Sequence, residues 1–153
     1  MMKLVKISML MMLVSLVFVQ CKSRKGDKST KAADGKMIPS IIVNTEFVAP
    51  EKNHPFTVKS ASIDGHILNV EVEYSGGCEK HNFTLHTNKM YMKSMPPKLG
   101  IFLKHDNGGD NCREMKTEQL QFDLQACQYP TDREEYSVML MMNNWKGQLE
   151  YKY

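Results

Sequence analysis

The sequence predicts an all-β domain, an antiparallel two-sheet sandwich of immunoglobulin-like arrangement, with a small β-barrel as the alternative. Three observations predict it. From about residue 46 onward apolar residues recur with a period of two in short runs, polar turn residues separate the runs, and no stretch sustains a 3.6-residue period with capping residues.

The clearest strand is residues 66–74, where Leu68, Val70, Val72 and Tyr74 alternate with Asn69, Glu71 and Glu73. That alternation gives one dry face and one wet face. Asp64-Gly65 lies between this run and residues 56–63, and Asp-Gly readily takes the positive φ of a tight turn, so the first two strands pair as a hairpin. The same logic marks Phe83 with Leu85; Leu99, Ile101 and Leu103; Leu120, Phe122 and Leu124; Tyr136, Val138, Leu140 and Met142; and Leu149, Tyr151 and Tyr153. Pro96-Pro97 and Pro130 fall between runs, where a missing N–H harms no ladder. About seven strands result. They form one domain over residues 37–153, since 153 residues have room for one core and not two.

Ahead of the domain the chain reads as an address. Lys3 and Lys6 precede 13 almost wholly apolar residues, 7–19, a length that suits a signal peptide over residues 1–20 and is short for a bilayer span. Cys21 follows at once. The stretch Leu16-Val17-Phe18-Val19-Gln20-Cys21 resembles the lipobox of bacterial lipoproteins in its relaxed Bacteroidota form, departing from the stricter pattern at Gln20, where a small residue is usual. The resemblance implies cleavage before Cys21 and a lipid on its sulfur, which makes the bilayer a partner; the alternative is an uncleaved signal anchor. Residues 22–36 lack any large apolar or aromatic side chain and read as a disordered tether. They hold six basic residues against two acidic ones, whereas residues 37–153 hold 12 against 15. A slightly acidic domain argues against a nucleic-acid partner, which needs a basic face on the folded part. Surface-exported lipoproteins of Bacteroidota carry acidic residues just after the cysteine, and Lys22-Ser23-Arg24-Lys25 does not, so the expected location is the outer membrane, facing the periplasm.

Two stretches stand out: Ser75-Gly76-Gly77-Cys78-Glu79-Lys80-His81-Asn82-Phe83, and the later Gly109-Asp110-Asn111-Cys112, with Lys93-Ser94-Met95-Pro96-Pro97 between them. Over roughly residues 66–124 the chain resembles uncharacterised Bacteroidota lipoproteins that share an SGGCxxHxF segment and a later GDxC segment. The resemblance implies an envelope lipoprotein with a β-rich domain and brings no activity with it.

Read from the residues themselves, the cluster allows two chemistries. His81 shares strand parity with Phe83 and Leu85 and points inward, so Cys78, His81 and Cys112 offer three ligands for zinc or copper, with a fourth from Asp110, His105 or Cys127. The leading expectation is a disulfide instead. Once Cys21 is lipidated three cysteines remain and one must stay unpaired. Cys78 follows Gly76-Gly77 and Cys112 follows Gly108-Gly109, both at adaptable turns, so these two pair, no cofactor is needed, and Cys127 is left as the free thiol. Met90, Met92 and Met95 suit Cu(I), although packing or a surface patch is the preferred account. Residues 106–111 look like a calcium loop only superficially, because Asn111 stands where an EF-hand needs Gly. No Ser-His-Asp order, paired-carboxylate setting or phosphate loop nominates an enzyme.

Three readings follow: a non-enzymatic envelope lipoprotein that binds another envelope component or serves as a structural module; a zinc- or copper-binding domain; and a thiol-dependent enzyme using Cys127, or Cys78 with His81.

Overall fold

The computed structural model describes residues 37–50, 53–133 and 135–153; the leader, Cys21 and the tether lie outside the described residues. Among these, nine strands and one short 3-10 turn follow in order: β1 (Ile42–Val43), β2 (Thr57–Asp64), β3 (Ile67–Gly76), β4 (Asn82–Thr87), β5 (Tyr91–Met92), β6 (Lys98–Asp106), β7 (Glu114–Asp123), the turn Gln125–Cys127, β8 (Ser137–Met142) and β9 (Leu149–Lys152). They make two sheets. One has the order β2-β3-β7, and the other β1-β4-β6-β8-β9, with β5 also paired to β6. The fold is a two-sheet sandwich and does not close into a barrel.

The period-two runs become the inner faces. Leu68, Val70, Val72 and Phe122 of the smaller sheet share one core with Leu85, Leu99, Ile101, Leu103, Leu140 and Tyr151 of the larger, each at most 3% exposed. Asp64 pairs with Ile67, so β2 and β3 are joined by Gly65 and His66, and Gly65 takes φ +54, which costs a glycine little. Two departures from an all-antiparallel sandwich appear: β1 runs parallel to β4 and β6 parallel to β8. The β6 to β8 connection is long enough to permit this, since β7 and its following turn intervene on the other sheet.

The strands that alternation missed lack alternation. Residues 114–119 of β7 show no dry face, and their extension is dictated by the ladder from Ile67↔Asp123 to Gly76↔Glu114 with β3. β1 and β5 have two residues each. The segment leading into β1 joins the sheets. The Asp123 N–H donates to the Pro39 carbonyl and the Ile41 N–H to the Asp123 carbonyl, both at 3.0 Å, while β1 continues onto β4 and Ile38 and Ile41 are buried.

Candidate functional site

The two distinctive stretches meet where β3 turns into β4 and β6 turns into β7. Cys78 and Cys112 form a disulfide with their Cα atoms 5.9 Å apart. Beside it Asp110, 6% exposed, is the centre of the cluster. Its Oδ2 accepts the N–H groups of Gly77 (2.8 Å), Cys78 (2.9 Å) and Glu79 (2.9 Å), and its Oδ1 accepts that of Cys112 (2.7 Å). These backbone donors, led by Glu79 and Cys112, hold the Asp110 carboxyl far below the ordinary range, because they bond only the charged form well.

His81 continues the network inward. Its Nε2 lies 3.2 Å from Asp110 Oδ2, and its Nδ1 lies 2.8 Å from Nε2 of His105. The Nδ1 of His105 faces the His54 carbonyl at 3.2 Å and therefore carries a proton, which leaves Nε2 to accept from His81. Burial, the largest influence, holds the His105 imidazole below its usual value. Rings close the remaining sides: Tyr74 stacks on His81 with centroids 4.5 Å apart, and Phe83 lies flat on His105 at 4.3 Å. Burial, then the hydrogen bond to Glu118, pushes the Tyr74 hydroxyl up to about 12.

The motif glycines have separate causes. A Cβ on Gly76 would overlap the His81 ring, and Gly77 sits at φ +115 while its N–H serves Asp110. In the loop that resembled a calcium site, the side chains of Asp106 and Asn107 are spent on the loop itself, and that of Asp110 on the neighbouring turn. Asp106 Oδ1 accepts from the Gly108 N–H and Asn107 Oδ1 from the Gly109 N–H, both at 3.1 Å.

This arrangement brings Cys78, His81 and Cys112 together with Asp110 and His105, and leaves Cys127 out. Among the described residues, the nearest approach to a metal-ligand set is Cys78, Asp110 and Cys112, whose ligand atoms lie within 4.8 Å of one another. Both sulfurs are spent on the disulfide and both carboxylate oxygens already accept backbone N–H groups, so in the oxidised protein the set offers no thiolate ligand. Cys127 is buried in the turn after β7, where desolvation pushes its thiol up to about 12, the opposite of what a nucleophile needs. Met90, Met92 and Met95 are 66%, 50% and 79% exposed. Strand parity points His81 inward, as found, whereas Asp110, offered by the sequence only as a candidate fourth metal ligand, instead organises both turns. A separate open groove of about 800 Å³ lies on the other side of the larger sheet's strands, lined by Met95, Pro96, Tyr136, Glu150, Lys152 and Tyr153 among others.

No family model and no curated protein matches the sequence. Among solved structures the chain is similar to a NigD-like immunity protein from Bacteroides caccae, with TM-score 0.50 and 14% identity over 76% of this chain and 63% of that one. It is also similar to a protein of unknown function from Bacteroides vulgatus, with TM-score 0.49 and 20% identity over 77% of this chain and 56% of that one. A third likeness is to a candidate lipoprotein from Bacteroides fragilis, with TM-score 0.43 and 11% identity over 75% and 68%. The chain thus spans less than two thirds of the first two structures. At 14% identity the likeness to the first is one of fold. Among the described residues no helix is long and apolar enough to cross a membrane.

Proposed function

We propose that the chain is an envelope lipoprotein whose sandwich is a non-enzymatic binding and structural module, held at the periplasmic face of the outer membrane by lipid on Cys21. The observation that carries the domain's part of this reading is the closure of the cluster around Asp110. The residues best suited to chemistry are consumed in holding two turns together, with the side chains of His81 and Asp110 only 1% and 0% exposed. A site that must meet a substrate keeps some of its donors open to it. The fold likeness to an immunity-type protein fits a domain that works by binding, and carries no partner with it.

The anchor is tested by radiolabelled fatty acid and by fractionation of membranes washed at high salt. The parent chain takes up label and stays with the washed membranes, and Cys21→Ala does neither. A Cys21→Ala chain that remains with washed membranes through its leader would establish a signal anchor instead.

A further inference from the structure

Charge is unevenly placed in the domain. Residues 80–105 contain Lys80, Lys89, Lys93, Lys98 and Lys104 and no Asp or Glu, whereas the rest of residues 37–153 holds seven basic side chains against 15 acidic ones. The basic stretch is β4, β5 and most of β6, which adjoin in the larger sheet. Register fixes which of its side chains share the outer face. Tyr91 pairs with Leu99, which is wholly buried, so the next pair, Met92 and Lys98, points outward. The row runs on through Met139 to Glu150.

That face is unusually apolar. A solvated sheet face is ordinarily polar. Here Met90, Met92 and Met95 stand at least half exposed within six residues, and Lys89 and Lys93 alternate with them. The turn that presents them is fixed: Thr87 is buried, its Oγ1 donates to the Gly100 carbonyl and accepts the Lys89 N–H, and Lys89 takes φ +58. Farther along the same face Ile42, His86 and Phe102 lie in one row, and Phe47 stacks on His86 at 4.9 Å. Burial, then Lys104, holds the His86 imidazole below its usual value, so it adds no charge that would offset the methionines at neutral pH.

We infer that this face docks on an anionic lipid bilayer, with the methionines of residues 90–95 entering the headgroup boundary and Lys89, Lys93 and Lys98 meeting lipid phosphates. Long lysine stems cross the apolar zone while their ammonium groups stay with the headgroups. A bilayer also needs no complementary shape, which suits side chains that project singly from a turn. Carboxylates bound the docked area: Glu150 is paired with Lys152 at 3.4 Å, Glu135 lines the groove, and Asp106 is exposed at the far end of β6, on the outward parity of Lys98 and Lys104. The inference does not depend on lipid at Cys21.

Its test uses the chain from residue 21 onward with Cys21→Ser, in sedimentation with vesicles of phosphatidylglycerol and phosphatidylethanolamine or of phosphatidylcholine alone. The parent binds the anionic vesicles and not the zwitterionic ones. Each lysine at such a surface is worth about five-fold, so Lys89→Gln, Lys93→Gln and Lys98→Gln together weaken binding on the order of a hundred-fold. Met90→Ser with Met95→Ser weakens it too, whereas Lys59→Gln on the smaller sheet leaves it unchanged. The basic tether is common to all variants, and all of them keep the parent's melting temperature because the changed side chains are exposed. Equal binding by parent and variants, no binding by the parent, or equal binding to phosphatidylcholine would overturn the inference. A dimer that the same substitutions dissolve would replace the bilayer with a second copy of the chain.

Discussion

Asp110 is the residue on which the two turns depend, and it sets a pH dependence. Its folded carboxyl lies far below the ordinary value of about 4, so between the two values the unfolded chain binds a proton that the folded chain refuses. This contribution is complete above about pH 4 and is lost as pH falls below it. His105 acts in the same direction at higher pH. Its folded imidazole lies below the ordinary value of about 6.5, so the unfolded chain is protonated first and stability declines as pH falls through that value. His86, whose imidazole is also held low by burial, adds to the upper step, so the melting temperature should drop in two steps between about pH 8 and about pH 3, and His105→Gln should shrink the upper step while leaving the lower. A profile flat over that range would contradict both assignments. Asp110 stood out in the sequence, but its part as the hub of two turns was not legible, because three of its four backbone donors lie more than thirty residues away and belong to another turn. His81 was half legible: strand parity turned it inward, but nothing local named His105 as its neighbour.

At the scale of elements, alternation located every strand that has one dry face, and failed where neighbours rather than side chains impose extension. β7 is the instructive case, since residues 114–119 are polar apart from the exposed Met115 and are extended because β3 runs beside them. The parallel ladders were also hidden, because alternation reports faces and is silent on direction. The disulfide belongs to this scale because it ties the β3–β4 turn to the β6–β7 turn. It closes a loop with a sequence separation of 34 residues. Such a loop is worth about 4 kcal/mol in the chain-entropy account, or roughly 10–15 °C of melting temperature for a domain of this size. Cys78→Ala and Cys112→Ala should each lower the melting temperature by a similar amount. Cys127→Ala removes one buried sulfur and should cost about 1–2 kcal/mol, clearly less. Equal losses at all three positions, read by thermal or urea unfolding, would show that the bridge adds little beyond Asp110.

For the whole molecule, the cluster that resembles a metal or thiol site serves as a structural clamp, in what we propose is an anchored, non-enzymatic module. Both sheets depend on that end of the sandwich, as they depend at another place on the segment of residues 38–43 that joins β7 to β4. The most direct measurement is a combined thiol titration and metal analysis of the folded, non-reduced protein with Cys21→Ser. The expected result is no thiol that reacts before unfolding, one that reacts after it, namely Cys127, and no stoichiometric zinc or copper. Three reactive thiols together with one equivalent of zinc or copper would contradict it and make Cys78, His81 and Cys112 the ligands of a metal site.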